Sequence, residues 1–396
     1  MCFCRSPGSA TIDSLPRLTF ISAINIRWTH LEWMCRELDR ERFDVSFLLV
    51  SIAGTRPYLE EFLTREGIPF TTLDCKLRPL SIARTVWRIR RYCRRQRVDI
   101  VHTHIFFASL VGLLGAWLAG VPVRVNTRHH AVMNHGTSFF WLDRLCNLLS
   151  TRVIATSEML RQVLVGPEHV APGKVSLVHL GIDLETFERP PAAEVAALAA
   201  RYNPRRAAPV IGVIARHIEL KGIQFVIPAF RRLLTGFPDA YLVLAHASGP
   251  YTPGLQQQLA EISADRYVLI RFEPDVAALY KIFDLCVHVP IGPQEESFGL
   301  VYVEALAAGV PSIFTLSGVA PELLVHRRNA WLVGYRDSDQ IYDGMKALLG
   351  DDALRASLVE EGRRTVATAF SARRMVREIE AIYSRDLAKA AESTGA

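Results

Sequence analysis

From residue 17 onward, short runs of apolar, β-type residues alternate with longer stretches in which apolar side chains recur at helical spacing. This alternation predicts parallel sheets whose faces are covered by helices. In the first half, strands are predicted at 18–24, 44–50, 99–103, 121–127, 152–155 and 175–178, with helices at 30–40 and 81–95. The pattern restarts with strands at 209–215, 240–245, 267–272 and 284–290 and helices at 222–234 and 299–308. We therefore predict an α/β protein with two doubly wound, Rossmann-like units.

The alternation is interrupted in the middle of the chain, where Arg189, Pro190 and Pro191 precede an alanine-rich stretch. Such a change of composition is typical of a connector. We predict a tail at 1–16, a first domain at 17–188, a linker at 189–206, a second domain at 207–370, and a C-terminal helix at 371–396 that packs back on the first domain. Two units of this kind bind ligands in the cleft between them, near the carboxyl ends of their strands.

The composition and net charge of the chain limit the classes of ligand that it is expected to bind. The chain of 396 residues is 50% hydrophobic and 22% charged, as expected of a folded globular protein. Its net charge of +6 fits an anionic ligand such as a nucleotide diphosphate, or an anionic lipid surface, and is too small to indicate nucleic acid. The seven cysteines are odd in number and mostly far apart, Cys2 and Cys4 being the one close pair, which argues against a disulfide framework, so a reducing cytoplasm is predicted.

One apolar run, at 105–123, reaches the length of a membrane span. It contains three glycines and Pro122 and leads into a strand-like segment, so we interpret it as a buried helix followed by a strand. Residues 1–16 have no apolar core of signal-peptide length. The sequence therefore predicts a chain that does not cross a membrane.

Two carboxylates flank a helix start in the second half of the chain. Glu296 follows an apolar strand, Gly299 allows close approach of the backbone, and Glu304 lies just over one turn into the helix. Free N–H groups and the positive end of the helix dipole favour a phosphate at such a start. Earlier, Arg216 and Lys221 lie on the loop after the first strand of the second unit, where two cations could neutralise a diphosphate.

The run from Glu296 through Phe298, Gly299 and Leu300 to Glu304, closed by Ala-Gly-Val-Pro at 308–311, resembles the signature of the retaining glycosyltransferases of family 4, the glycosyl transferases group 1. The resemblance implies the GT-B fold, with two Rossmann-like domains facing a central cleft. It also implies transfer of a sugar from a nucleotide diphosphate sugar to an acceptor hydroxyl, with retention of configuration. Glu296 would contact the sugar and Glu304 the ribose, beside the donor-site segment 298–300.

Arg216 and Lys221 match the positions where this family has an arginine and a Lys-Gly pair, so the resemblance assigns them to the leaving diphosphate. In the first unit, His129 matches a family histidine that faces the donor sugar, with His130 as the neighbouring alternative. Histidine suits a cleft in which a hydroxyl must be oriented near neutral pH. His102 and His104 share one face of a strand and either line the acceptor pocket or serve as hydrogen-bonded core residues.

The first loop departs from the family pattern. The family has a Gly-Gly loop that touches the phosphates, whereas residues 22–28 contain no glycine, which leaves Asn25 or Arg27 as substitutes. The same absence argues against a nicotinamide-dependent oxidoreductase, which needs a glycine-rich turn after its first strand. Two alternatives stay open: another GT-B enzyme, such as a sugar-nucleotide epimerase or phosphorylase, and a catalytically degenerate protein acting as a binding or assembly subunit.

Two further patterns concern metals and membranes. Asp337 and Asp339 have the Asp-x-Asp spacing of metal-dependent glycosyltransferases, but they precede a helix and are interpreted as caps, so no metal or other cofactor is predicted. A predicted helix has a densely cationic face, which is either solvated or in peripheral contact with an anionic membrane at its inner, cytoplasmic side. The arginines of this segment are Arg84, Arg88, Arg90, Arg91, Arg94, Arg95 and Arg97. The acceptor can be a glycan, a lipid-linked molecule or a small molecule.

Overall fold

The computed structural model describes residues 15–23, 29–52, 54–55, 57–130 and 137–394. The first part of the chain forms one parallel sheet. Its strands are β1 (Arg17–Ser22), β2 (Asp44–Ile52), β3 (Phe70–Cys75), β4 (Ile100–His104), β5 (Val123–Arg128), β6 (Arg152–Ala155) and β7 (Val175–Leu177). They lie in the order β3-β2-β1-β4-β5-β6-β7.

The second part of the chain forms another parallel sheet. Its strands are β8 (Val210–Ile214), β9 (Tyr241–Ala245), β10 (Tyr267–Ile270), β11 (Leu285–His288), β12 (Ser312–Phe314) and β13 (Trp331–Leu332), in the order β10-β9-β8-β11-β12-β13. In both sheets the order reverses beside the first strand, between β1 and β4 and between β8 and β11. Open α/β sheets bind ligands at such switch points, outside the carboxyl ends of the strands.

Helices connect the strands. In the first unit they are α1 (Thr29–Glu37), α2 (Leu59–Arg65), α3 (Pro79–Arg95), α4 (Phe106–Ala119), α5 (Thr137–Leu149) and α6 (Glu158–Val165). The connecting segment holds α7 (Leu184–Glu188) and α8 (Ala192–Tyr202). The second unit has α9 (Ile223–Leu233), α10 (Thr252–Leu259), α11 (Val276–Tyr280), α12 (Leu300–Ala308), α13 (Ala320–Leu323), α14 (Ser338–Gly350) and α15 (Asp352–Ala369), and α16 (Ala372–Thr394) follows.

The α/β class and the doubly wound arrangement are as predicted, because both sheets are parallel and their central strands are almost entirely buried. All residues of β8 are buried, for example. Three strands escaped prediction. At the sheet edge, β3 mixes exposed and buried positions, while β12 and β13 have three and two residues, which is too short for a periodicity signal.

The apolar run at 105–123 forms α4 and leads into β5, as predicted. Among the described helices, none has both the length and the apolar character needed to span a membrane.

The long helix α16 packs against α1 and β5 of the first unit. Asp386 accepts two hydrogen bonds from the Arg152 guanidinium, at 2.7 and 2.8 Å, and both side chains are nearly buried. Glu380 accepts a hydrogen bond from the backbone N–H of Asp39 at 2.8 Å. The end of the chain therefore ties the second unit to the first.

Hydrogen bonds also join the two units along the cleft. The Ser157 hydroxyl donates to the carbonyl oxygen of Ser297 at 2.6 Å, and the Ser297 hydroxyl donates to the carbonyl oxygen of His129 at 2.7 Å. Glu322 accepts from the backbone N–H of Glu158 at 2.8 Å and pairs with His179 at 2.8 Å. These contacts bring the carboxyl ends of the two sheets together.

Candidate active site

The centre of the second unit's site is a buried carboxylate with two partners. Lys221 Nζ lies 2.5 Å from Glu296 Oε1, and His288 Nε2 donates to the same oxygen at 2.9 Å. The side chains of Lys221 and Glu296 are only 14% and 12% exposed. Burial alone would raise the pKa of Glu296, but the Lys221 ammonium and the His288 hydrogen bond outweigh it and lower this pKa to about 2. Glu296 is therefore ionised at neutral pH.

Glu296 is positioned by two glycines in left-handed conformations. Gly299, which begins α12, has φ of +90°, and a Cβ there would lie 2.5 Å from the Tyr302 ring. Gly318 has φ of +62°, and its Cβ would lie 2.6 Å from the carbonyl oxygen of Phe298 and 2.9 Å from Cβ of Glu296. Only glycine meets both the conformation and the space, so the turn at Gly318 packs directly on the backbone that carries Glu296.

Phe298 and Leu300 belong mainly to the core. The Phe298 side chain is 2% exposed and packs near Phe370, with ring centroids 6.1 Å apart. Leu300 is half-buried against the same core. The donor contact predicted for Phe298 is thus limited to its main chain, because its ring is turned inward and fixes the start of α12.

Glu304 lies apart from the Lys221 pair. Tyr280 donates to Glu304 Oε2 at 3.1 Å, and burial raises the pKa of Glu304 to about 7 despite this hydrogen bond. The carboxylate lines a cavity of about 830 Å³ bounded by the start of α1, the segment 183–198 and residues 274–277. Neither Arg216 nor Lys221 lines this cavity. Its wall carries two arginines, Arg36 and Arg189, and five further carboxylates: Glu32, Asp183, Glu185, Glu194 and Asp275. Such a wall suits hydroxyl donors better than phosphates.

Arg216 and Lys221 follow the carboxyl end of β8, at the switch point of the second sheet. Arg216 lies two residues after the strand and is exposed, and no described carboxylate forms an ion pair with it. Lys221 ends a short 3₁₀ turn (Glu219–Lys221) that leads into α9. One cation is therefore paired in the interior and the other is open to solvent on the same loop.

In the first unit, four histidines gather at the carboxyl ends of β4 and β5. His104 Nδ1 and His129 Nε2 are 3.1 Å apart, and their rings stack with centroids 5.4 Å apart. His30 of α1 meets His129 edge-on at 6.1 Å between centroids. His102 lies beside His104, with centroids 4.2 Å apart. We call these four residues the histidine cluster.

The histidine cluster is neutral at pH 7. Burial lowers the pKa of His30 to about 4 and that of His102 to about 3. Burial, followed by the neighbouring imidazoles, holds the pKa values of His104 and His129 well below the ordinary value. A neutral imidazole has one donor and one acceptor nitrogen, so the cluster can orient hydroxyl groups but cannot attract an anion.

The predicted histidines separate into different environments. His102 is a core residue, hydrogen-bonded to the Tyr383 hydroxyl at 2.5 Å and to Thr127 Oγ1 at 2.7 Å. His130 pairs with Asp143 at 3.1 Å, and Asp143 belongs to a buried network with Arg128. His129, not His130, is the one that joins the cluster.

The two aspartates of the Asp-x-Asp pair lie at the start of α14. Asp337 caps α14 by accepting from the backbone N–H of Gln340 at 2.9 Å, and Asp339 pairs with Arg232 at 2.8 Å. Both aspartates therefore have structural partners. Of the glycine-free first loop, Asn25 and Arg27 lie outside the described residues.

His288 was missed by the sequence analysis. It ends β11, eight residues before Glu296, and its side chain is 2% exposed. The available signal was a histidine inside an otherwise apolar strand directly before the motif. That signal does not reveal a partner, because the contact depends on how the loop after β11 folds back.

Known proteins resemble this chain over both units. The family model for Glycosyltransferase Family 4 matches residues 28–186, and that for Glycosyl transferases group 1 matches residues 197–365. The chain is 27% identical to N-acetyl-alpha-D-glucosaminyl L-malate synthase of Bacillus anthracis, over 75% of this chain and 77% of the relative. It is 21% identical to UDP-Gal:alpha-D-GlcNAc-diphosphoundecaprenol alpha-1,3-galactosyltransferase of Escherichia coli, over 94% and 96%.

A solved structure of Anabaena Alr3699/HepE, in complex with UDP and glucose, has a TM-score of 0.79 at 18% identity and covers 93% of this chain and 100% of that one. At this identity the likeness establishes the fold, which is GT-B. Between them the two family models cover every described strand except β1, together with Glu296, Lys221 and His129. The chain therefore belongs to the group 1 glycosyltransferases of family 4, enzymes that take a sugar from a nucleotide-sugar donor.

Proposed function

We propose that the protein transfers a hexose from a nucleotide diphosphate sugar to a hydroxyl of a glycan or lipid-linked acceptor, with retention of configuration and without a metal ion. The observation that carries the proposal is the pairing of Lys221 with Glu296 at the switch point of the second sheet. The side-chain hydroxyl of Ser297, the residue after Glu296, donates to the main-chain carbonyl oxygen of His129. A charged group and a neutral imidazole thus face one cleft from opposite units.

The diphosphate is assigned to Arg216 and Lys221. Charge-assisted hydrogen bonds from two cations would stabilise the negative charge that develops on the leaving group. Lys221 is paired with Glu296 before the donor arrives. On donor binding, its ammonium would turn from the carboxylate to a phosphate oxygen, and Glu296 would then accept from a sugar hydroxyl. His288 keeps one hydrogen bond to Glu296 during that exchange.

Glu304 is assigned to the ribose. With a pKa of about 7, both its protonated and ionised forms are populated near neutral pH, and the ionised form can accept from two vicinal hydroxyls. Its position in a carboxylate-lined cavity supports this role. The six carboxylates of the cavity outnumber its two arginines, so the wall suits the donor hydroxyls of a ribose better than a phosphate.

Metal independence is supported by the chemistry of the groups near the diphosphate position. The loop after β8 carries two cations, Arg216 and Lys221, and one carboxylate, the exposed Glu219. The Asp-x-Asp pair is engaged elsewhere, since Asp337 caps a helix and Asp339 pairs with Arg232. Retention is supported by family membership and by Glu296, which would keep its hydrogen bond to His288 and accept from a sugar hydroxyl, so that it is not a free base for activating an attacking hydroxyl. The proposed mechanism relies on leaving-group stabilisation and positioning.

His129 is assigned to orientation of the sugar or the acceptor. Its imidazole is neutral and held by His104, so it can donate to or accept from a hydroxyl at neutral pH. We also propose a cytoplasmic location. In support, the described cysteines are all free and buried, as expected in a reducing compartment: Cys35, Cys75, Cys93, Cys146 and Cys286.

The test is incubation with UDP-, GDP- and ADP-hexoses and a panel of acceptors, with nucleotide release and sugar transfer measured separately. Proton NMR of the first product formed gives its anomeric configuration. We expect an α-linked product from an α-linked donor, at a rate that EDTA does not change. A β-linked product would contradict retention, and loss of activity in EDTA with recovery in Mn²⁺ would contradict metal independence. A changed sugar nucleotide without transfer would instead indicate an epimerase.

A further inference from the structure

Helix α5 has an unusual outer face. Trp141 is 65% exposed and Leu148 76% exposed, and Leu145 between them is 36% exposed. Their spacing of four and three residues places them on one stripe of the helix. A surface helix normally turns polar side chains to solvent. Here the solvent-facing stripe is apolar.

The inner face of α5 already packs against the rest of the first unit. The apolar stripe is therefore a second, separate apolar face of the helix. Cys146 and Leu149 are buried and pack with Leu113 of α4. On the same inner side, Asp143 is 2% exposed and pairs with the Arg128 guanidinium at 3.0 Å. The helix is fixed with its one acidic side chain inside and its apolar side chains outside.

The helices beside α5 continue the same surface. The helix α4 packs against both α3 and α5, so the three form one layer on one face of the first sheet. Exposed aromatic side chains recur across it, with Trp87 on α3 and Trp117 on α4 at 51% and 52% exposure. Arg90 donates to the carbonyl oxygen of Leu118 at 3.2 Å, which joins α3 to the end of α4.

The charge of this layer has one sign. Asp143 is the one acidic residue in the three helices, and it is buried and paired. On α3, arginines are exposed at Arg84, Arg88, Arg91, Arg94 and Arg95. On α5, the Arg144 guanidinium lies 5.5 Å from the centre of the Trp141 ring. Exposed tryptophan and leucine are thus combined with arginine, and no exposed carboxylate lies on the three helices.

We infer that the outer face of α3, α4 and α5 docks on an anionic lipid bilayer, with the α5 stripe inserted among the headgroups and acyl chains. A bilayer supplies both complements at once, since lipid phosphates pair with arginine while indole and leucine side chains enter the interface. A second copy of the chain fits this surface less well, because its own arginine-covered face would repel the first. Because α5 begins at the carboxyl edge of β5, docking holds the His129 edge of the cleft near the bilayer.

The test is co-sedimentation of the full chain with phosphatidylcholine vesicles, with and without phosphatidylglycerol. We expect binding only when the anionic lipid is present. The double variant Trp141→Ser/Leu148→Ser should bind at least about tenfold more weakly, because two large apolar side chains no longer leave water. The triple variant Arg84→Gln/Arg88→Gln/Arg91→Gln should bind more weakly and depend less on salt, because Arg94 and Arg95 remain. Val325→Ser, which removes an exposed apolar side chain of the second unit, is the matched control and should bind normally.

Folding, transfer activity and self-association are measured on the same variants. Thermal melting and transfer to a water-soluble acceptor should be unchanged in all variants, which separates docking from folding and from the proposed reaction. Light scattering reports self-association. The inference is overturned if the wild-type chain ignores anionic vesicles, if the Trp141→Ser/Leu148→Ser variant binds them as well as wild type, or if the wild type self-associates through this face and the variant does not.

Discussion

The two sides of the cleft bury titratable side chains that differ in charge. In the second unit, the ionised Glu296 pairs with Lys221, and their side chains are only 12% and 14% exposed. In the first unit, burial lowers the pKa values of the histidine cluster, and its imidazoles remain neutral. Desolvation penalises charge in both places, and in the second unit the pairing of Lys221 with Glu296 offsets that penalty.

This difference suggests a division of labour. A diphosphate needs positive charge, and the loop that carries Arg216 and Lys221 provides it. A sugar or acceptor hydroxyl needs a donor and an acceptor without a strong field, which a neutral imidazole such as that of His129 provides. Variants on the two sides should therefore fail in different ways.

We expect the largest loss of transfer activity from a substitution at the Lys221–Glu296 pair. Lys221→Ala removes the ammonium from the diphosphate position and leaves Glu296 buried without its main partner. We expect kcat/KM for transfer to fall by about 10²- to 10³-fold, with weaker nucleoside diphosphate binding in calorimetry. Lys346→Ala, on the exposed face of α14, is the control and should behave as wild type. Unchanged diphosphate affinity in Lys221→Ala would remove the assignment.

The neutral side should show a smaller and different defect. In His129→Asn, we expect kcat to fall by about ten- to hundredfold while nucleoside diphosphate affinity stays within about twofold, because the imidazole orients a hydroxyl and carries no charge. His169→Asn, at an exposed histidine, is the matched control. If His129→Asn lost nucleotide affinity as strongly as Lys221→Ala, the proposed division between the two sides would be wrong.

Glu304 should give the pH dependence. Its pKa of about 7 predicts that nucleoside diphosphate affinity rises as pH increases through 7, and Glu304→Gln should remove that rise. Stability follows the opposite course. Since the folded pKa lies above the ordinary 4.5, ionisation destabilises the fold progressively between about pH 4.5 and 7, and melting curves of Glu304→Gln should lose this decline. Glu360→Gln, exposed on α15, should retain both dependences.

We expect the smallest loss of activity from a substitution at Tyr383, which contacts the histidine cluster through His102. Tyr383→Phe removes the hydroxyl bonded to His102 and leaves that imidazole nitrogen buried without its partner. We expect the free energy of unfolding to fall by about 1–2 kcal/mol in denaturant titrations, with activity within about twofold of wild type. Tyr267→Phe is the control. A large loss of activity at unchanged stability would mean that α16 tunes His129 through the cluster.

Local sequence patterns predicted much of the fold and part of the site. The strand of β8, the buried helix α4 and the cap at Asp337 depend on periodicity and on neighbours a few residues away, and they were recognised. The Glu296 and Glu304 motif was recognised for the same reason. The edge strand β3 was not, because its polar positions at the sheet margin leave no regular pattern.

What the sequence determined by itself was therefore the chemistry available: two carboxylates at a helix start, two cations after a strand, and histidines at strand ends. The tertiary structure decided how these groups are used. It paired Lys221 with Glu296 across 75 positions, added His288 as a partner, and selected His129 over His130 for the cluster. It also turned the apolar stripe of α5 outward. Such outcomes depend on sheet order and packing between distant segments, which local patterns along the chain do not encode.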